Sequence, residues 1–510
     1  MRETVETSAH HFSCMQDVEY FSSLLLLEHL GNQETKLIMH LEAISNELKD
    51  DYVKNKLEYF QFENELFRKD VTKYIANPLN AFSMIKRATV DLSLIIERIS
   101  VLNQPVETIA RYRIKQSSLT HAVKCLLVLQ RFYKLSTDDL ARGIINYRRV
   151  GEKMSPNDLF VIGTIAANNL TDEVFLAREY LELALKNHRK NFDHLNEVDE
   201  IKLLMIITSL CERMHDYKGA ALYLKELLMK DPDNIEATEY AMKIVALYKE
   251  HGSTKFSIDD PFNFKFIRDG KYTRRKEFEL MSDVCRGKMI REESSKMLHC
   301  QYVLSAPFVR FKMEEVSREP YIALFIDVLS DNEIQSLKRI AAVATVGGDE
   351  KSIYDAVQVA AELYDKDHSL VARISRRIEQ MTGLMVDENE PLWVQHIGSA
   401  GIAWQRERER RMATILFYMN DDHMDGYTAF PYLKLRLKPN EGSALFWFTL
   451  KHSGEYEYGT RFTQCPVMYK SKWIAFKNLY ERGQEFKRPC KLYKNEEEKI
   501  SIEDYDRKFF

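Results

Sequence analysis

TRFTQCPV (Thr460 to Val467) decides how this chain is read, and Phe462 is its central residue. It follows RMATILFYMNDD (Arg411 to Asp422), DGYTAFP (Asp425 to Pro431) and EGSALFWFTL (Glu441 to Leu450), and precedes SKW (Ser471 to Trp473) and ERGQEFKRPC (Glu481 to Cys490). Between the first two of these blocks, DDHMDG is a loop joining two strands, rich in the Asp and Gly that form turns. Phe462 offers no lone pair, so any chemistry at this position that needs a metal ligand is lost.

Outward from that segment, 510 residues are enough for about three domains. With 45% apolar and 11% aromatic residues, the chain has the material for real cores. Lys plus Arg at 73 against Asp plus Glu at 77 gives a net charge of −4, with the signs mixed along the chain. That excludes the basic stripe of a nucleic-acid binder. No run of 18 or more apolar residues is present, so no membrane span is expected. Met1 to Asp17 is polar and has no signal-peptide core.

The six blocks, in this order and spacing, resemble the α subunit of collagen-type prolyl 4-hydroxylase, and the resemblance covers most of the chain. It implies a multidomain α+β protein. Residues 1–147 would be an N-terminal helical, coiled-coil dimerisation region and 148–247 a tetratricopeptide-like peptide-binding domain. Residues 248–304 would be a linker with a disulfide loop, 305–490 a double-stranded β-helix (jelly roll) of the dioxygenase type, and 491–510 a mobile tail. The implied activity is 4-hydroxylation of proline in collagen-like peptides with Fe(II), 2-oxoglutarate, O2 and ascorbate. The implied partners are protein disulfide isomerase as β subunit and another α subunit, and the implied location is the endoplasmic reticulum lumen.

Carried over position by position, the resemblance puts the later iron-binding His of a two-His, one-carboxylate site on Phe462. Its His-x-Asp pair falls on Arg406 and Arg408, within HIGSAGIAWQRERER (His396 to Arg410), which is shorter than the family's segment. Arginine does not deprotonate to become a ligand. Two guanidinium groups about 5 Å from a dication would each cost about 6 kcal/mol, even at an effective dielectric near 20. The Lys that pairs with the distal carboxylate of 2-oxoglutarate falls on Lys472; the alternative is an exposed lysine at a strand start. His423 and Asp425 form another His-x-Asp and would share a face at period two, with His452 as a conceivable third ligand. The competing reading places this pair in a solvated loop.

Among the cysteines, the resemblance implies disulfides Cys285–Cys300 and Cys465–Cys490. It leaves Cys14, Cys125 and Cys211 unpaired, the last two read as buried thiols in apolar helical runs. Leu30, Leu37, Leu41, Ile44 and Leu48 follow a three-four spacing that gives one apolar helix stripe. That stripe either packs on its own domain or pairs two α subunits; NPLNAF (Asn77 to Phe82), similar to the family's N-terminal region, favours pairing. His215 to Leu224, then Leu227 and Asp231 to Asn234, match one tetratricopeptide unit, with small Ala220 for close helix packing and Pro232 as the stop. Ala167, Ile206, Ser209 and Glu212 fall on tyrosine positions that grip proline-rich peptide in the family. The residues therefore favour a non-catalytic member acting in binding or assembly. The competing readings are an active procollagen-proline 4-dioxygenase with relocated ligands and a structural protein that sequesters assembly partners.

Overall fold

The computed structural model describes residues 21, 24–48, 50–101, 107–169, 173–190, 198–251, 269–289, 300–306, 309–346, 360–398, 411–421, 425–468 and 471–490. Arg406, Arg408, His423, Cys14 and the tail 491–510 lie outside these residues. The chain divides into two units, Leu26–Arg275, and Lys276–Phe510 together with Met1–Leu25.

The first unit is helical apart from a two-residue hairpin, β1 (Ile144–Ile145) and β2 (Arg148–Arg149). Its long helix Leu24–Leu48 carries the three-four stripe. Leu37 and Leu41 are buried there in one core with Phe60, Ile95, Ile99 and Ile109, and Ile44 packs against it. Leu37, Leu41 and Ile44 of the stripe are thus covered within their own unit, while the side chain of Leu48 lies outside the described ones. Beneath this core Arg87 is fully buried and forked onto Glu34 at 2.6 and 2.9 Å, with Glu63 at 3.0 Å. Tyr74 donates to the same Glu63 carboxylate.

Farther along, helices Pro156–Asn169, Val174–Lys190, Glu200–Arg213, Tyr217–Lys230 and Ile235–His251 pack in sequence order. Each close approach has a local cause. A Cβ on Gly163 would come within 2.5 Å of Leu181, so only glycine lets those two helices touch. Asp199 caps the third helix by accepting from the Ile201 and Lys202 N–H groups, and Asp216 caps the fourth by accepting from Gly219. Ala220 and Leu227 are fully buried.

In the second unit, helix Asp269–Cys285 occupies part of the stretch expected to be a linker without periodicity. The strands are β3 (Cys300–Ala306), β4 (Val309–Arg318), β5 (Tyr321–Ile326), β6 (Ala360–Leu363), β7 (Leu392–Ile397) and β8 (Arg411–Tyr418). They continue with β9 (Thr428–Phe430), β10 (Leu435–Leu437), β11 (Ala444–Phe448), β12 (Thr463–Gln464) and β13 (Lys472–Tyr480). Eight make one antiparallel sheet in the order β3-β4-β5-β11-β8-β13-β7-β6, and β10-β9-β12 form a small second sheet.

The large sheet is buried on both faces, so its central strands read as continuous apolar runs. One face, through Ala413, Ile415, Phe417, Phe446 and Ala475, meets helices Asp331–Val346 and Ser369–Thr382. The second helix spaces Leu370, Ile374, Ile378 and Met381 along one side. The other face, through Leu416, Tyr418, Leu445, Trp447 and Ile474, meets Phe430, Leu433, Leu435, Leu437 and Phe462 of the small sheet and its turns.

Candidate functional site

The space between the large and small sheets holds Phe462 and Lys472. Phe462, which enters β12, lies with its ring centroid 4.6 Å from that of Trp447 and 6.2 Å from that of Phe430. Trp447 and Phe430 are themselves edge to face at 5.4 Å. Three aromatic rings thus occupy the region in front of β11. Such contacts contribute about 0.5–1.5 kcal/mol per pair beyond area burial, and none offers a metal a lone pair.

Lys472 opens β13 two residues before Ile474, which is paired with Tyr418, so the two side chains share a face. Lys472 is 1% exposed, which corrects the reading of an exposed lysine. Asn420 fixes the backbone on both sides of it: its amide donates to the Ser471 carbonyl at 2.8 Å and accepts from the Trp473 N–H at 2.8 Å. The ammonium donates to Gly426 O and Gln464 Oε1 and stands 5.4 Å from the Tyr418 ring. The Tyr418 hydroxyl donates to Thr428 Oγ1 at 2.9 Å, and Thr428 in turn donates to Gln464 Oε1 at 3.0 Å. Burial pushes the Tyr418 phenol well up, so it stays a donor.

This cluster is rich in donors. Gln464 Nε2 and Trp447 Nε1 are buried without a hydrogen-bond partner among the described residues. Buried donors left open carry a cost of about 1–3 kcal/mol each, and an acceptor such as a carboxylate would relieve it. Of these residues the sequence reading singled out only Lys472 and Phe462. Tyr418, Thr428 and Gln464 were missed, although Gln464 lies one period-two step beyond Phe462.

Asp425 is 3% exposed and accepts from the Met468 N–H at 2.8 Å. The solvated-loop reading is therefore corrected: this carboxylate holds a backbone turn inside the unit. His452 lies on the surface, its Nδ1 3.4 Å from Pro489 O. Among the described residues no group of three His, Cys, Asp or Glu side chains has metal-binding geometry. The groups at Phe462, three aromatic rings, do not fit Fe(II).

The cysteines pair differently from the resemblance. Cys285 bonds Cys465, both buried, joining the end of helix Asp269–Cys285 to the residue after β12. Cys300–Cys285 and Cys465–Cys490 are therefore not the pairs formed, and Cys300 is an exposed thiol on the edge strand β3. The reason is tertiary: Arg436 donates to Cys285 O at 2.9 Å and Tyr427 O accepts from Cys465 N–H at 2.7 Å, bringing the two cysteines together. Cys125 is also disulfide-bonded, correcting its reading as a thiol. Cys211 is a buried thiol, and burial pushes its pKa up to about 12.

In the helical unit, three of the four positions carried over from the peptide groove converge. Ala167, Ile206 and Ser209 line a cleft of about 420 Å³ together with Arg213, Glu236 and Tyr240. Glu212 stands at its margin, accepting from the Tyr240 hydroxyl at 2.5 Å and from Lys243 at 2.6 Å. Burial raises the Glu212 carboxyl, but these two donors outweigh it and hold it below the usual range. Arg213, Glu236 and Tyr240 had not been singled out. Arg213 ends helix Glu200–Arg213, and the other two lie on helix Ile235–His251, beyond any local motif.

Comparison with known proteins agrees with the blocks. Residues 23–147 match the family described as Prolyl 4-Hydroxylase alpha-subunit, N-terminal region. Prolyl 4-hydroxylase subunit alpha-1 of Bos taurus is 29% identical over 524 residues, covering 93% of this chain and 96% of the relative. Subunit alpha-2 of Gallus gallus is 27% identical over 521 residues, covering 93% and 95%. Subunit alpha-2 of Caenorhabditis elegans is 28% identical over 461 residues, covering 82% and 83%. Among solved structures, a viral collagen prolyl hydroxylase from Paramecium Bursaria Chlorella virus-1 in complex with 2OG is similar over 31% of this chain and 94% of its own. There the identity is 17% and the TM-score 0.26.

Proposed function

We propose that this chain, an α-type protein of the collagen prolyl 4-hydroxylase kind, is a non-catalytic member that works by binding and assembly. The observation that carries the reading is Phe462 packed edge-on against Trp447 where an imidazole ligand would stand. A single lost ligand leaves an incomplete iron face.

The donor cluster around Lys472, Tyr418, Thr428 and Gln464 supports a retained carboxylate site. 2-Oxoglutarate bound there would be held by its distal carboxylate alone, without the chelate that iron provides, and so weakly. The two-sheet arrangement of the second unit supports the jelly-roll reading, and the stacked helix pairs of the first support the tetratricopeptide reading. The Cys285–Cys465 disulfide suits an oxidising compartment such as the endoplasmic reticulum lumen. There a protein disulfide isomerase β subunit and another α subunit are the proposed partners. The competing active-dioxygenase reading would have to withdraw Asp425 from the Met468 N–H.

The deciding experiment is anaerobic titration of the purified protein with Fe(II) and 2-oxoglutarate, reading the metal-to-ligand absorption band. No band at millimolar metal is the expected result. A saturable band would overturn the non-catalytic reading.

A further inference from the structure

Asn169-Leu170-Thr171 is the chain's only Asn-x-Ser/Thr triplet whose middle residue is not proline, which is the acceptor sequence for an N-linked glycan. Asn169 is the last residue of helix Pro156–Asn169 and is exposed, as is Asn168 before it. Leu170 and Thr171 lie outside the described residues and enter by residue type alone. The triplet leads toward helix Val174–Lys190, and connections between packed helices run over the surface. The helix end that carries Asn169 is held in place: Arg213 donates to Ala167 O at 2.6 Å, two residues earlier. Ala166 and Ala167 are buried, so the change to solvent falls at Asn168. Asn168 in turn lines the cleft with Ala167, Ile206 and Arg213.

We infer that Asn169 is an N-glycosylation site, carrying its glycan next to the rim of that cleft. The step is a glycosyl transfer from an oligosaccharide borne on a lipid diphosphate. A bond forms between Asn169 Nδ2 and the anomeric carbon of the sugar, and the bond from that carbon to the diphosphate oxygen breaks. The amide gives up one proton, and the lipid diphosphate leaves with the bonding pair. A glycan is bulky and solubilising, so it keeps this helix end in water and out of any close protein interface.

The inference rests on the proposed lumenal location, but not on the state of Phe462. The test expresses the full chain in cultured animal cells behind a cleavable secretory leader. Protection from added protease in sealed microsomes confirms lumenal delivery, and electrophoretic mobility is read before and after treatment with peptide N-glycosidase. One shift that the enzyme removes is expected, and mass spectrometry of the treated chain should find aspartate in place of Asn169. N169Q and T171A should lose the shift, and T171S should keep it. Because the sugar is transferred to the growing chain, these readings do not depend on a variant reaching its fold. A protected chain with no shift, or a shift unchanged in N169Q, would each overturn the inference. A modified leader-borne chain, with the native protein recovered outside the endoplasmic reticulum, would overturn the lumenal location and leave the acceptor site standing. An iron–2-oxoglutarate band would overturn the non-catalytic reading without touching Asn169, so the failures are distinguishable.

Discussion

The Phe462 ring meets the Trp447 indole edge-on, with centroids 4.6 Å apart and planes at 68°. The contact makes Phe462 part of an apolar cluster with Phe430 and Tyr418. Phe462→His would put two polar nitrogens into that cluster and remove ring area. The expected loss is about 1–3 kcal/mol of unfolding free energy, measured by urea denaturation. No iron-dependent turnover should appear, because the other ligand positions implied by the resemblance hold Arg406 and Arg408. Activity in F462H would show that this placement of the two arginines is wrong.

The Lys472 cluster makes a separate claim that needs no iron. With 2-oxoglutarate at ten times its dissociation constant, binding should stabilise the native state by about 1.4 kcal/mol, seen as a rise in Tm. Lys472→Met keeps much of the stem's volume and removes the ammonium, so the ligand-induced rise should vanish. A rise that persists in K472M would place the carboxylate elsewhere.

How legible this was in the sequence depends on the kind of question. The blocks around Phe462 carried the expectation of a substituted ligand position, because a motif fixes residue type at a spacing; the aromatic contacts of Phe462 with Trp447 and Phe430 were not legible there. The surroundings of Lys472 were not legible: spacing placed it at a strand start, but its burial depends on Tyr418, Thr428 and Gln464 from three other strands. Central strands such as β8 are buried on both faces, so Ile415 and Leu416 look alike although they enter different cores. In the helical unit the three-four stripe was visible, but not which surface would cover it. Arg213 and Glu236 line one cleft only because helices pack in sequence order, which no local window reports.

The disulfide is the sharpest disagreement between resemblance and structure. Cys285–Cys465 closes a sequence separation of 180 residues, whereas the pairs implied by resemblance close short loops. Non-reducing digestion and mass spectrometry should recover a peptide containing Cys285 joined to one containing Cys465. Finding Cys285 joined to Cys300 instead would overturn the arrangement. In the chain-entropy picture a closed loop of this size contributes about 5 kcal/mol, less whatever strain it introduces. Replacing both cysteines by alanine is therefore expected to lower the Tm of the second unit while leaving the helical unit's transition in place.

His396 supplies a pH dependence with a definite sign. Its ring stacks on Trp473 at 4.0 Å, and both ring nitrogens are buried without a hydrogen-bond partner. Burial, with a smaller contribution from the Lys338 ammonium, lowers its pKa to about 3, against 6.5 in the unfolded chain. Between those values the unfolded state binds the proton and the folded state does not. The resulting stability is fully present above pH 6.5 and is lost as pH falls toward 3. Each pH unit in that window costs up to about 1.4 kcal/mol. His396→Phe keeps the stack and removes both unpartnered nitrogens. The variant should be more stable than the parent by about 1 kcal/mol at pH 7. The difference should widen as the pH is lowered from 6.5 to 5, measured by urea denaturation at each pH. A constant difference across that range would mean that the imidazole is protonated in the folded protein and that the stack with Trp473 is open to water.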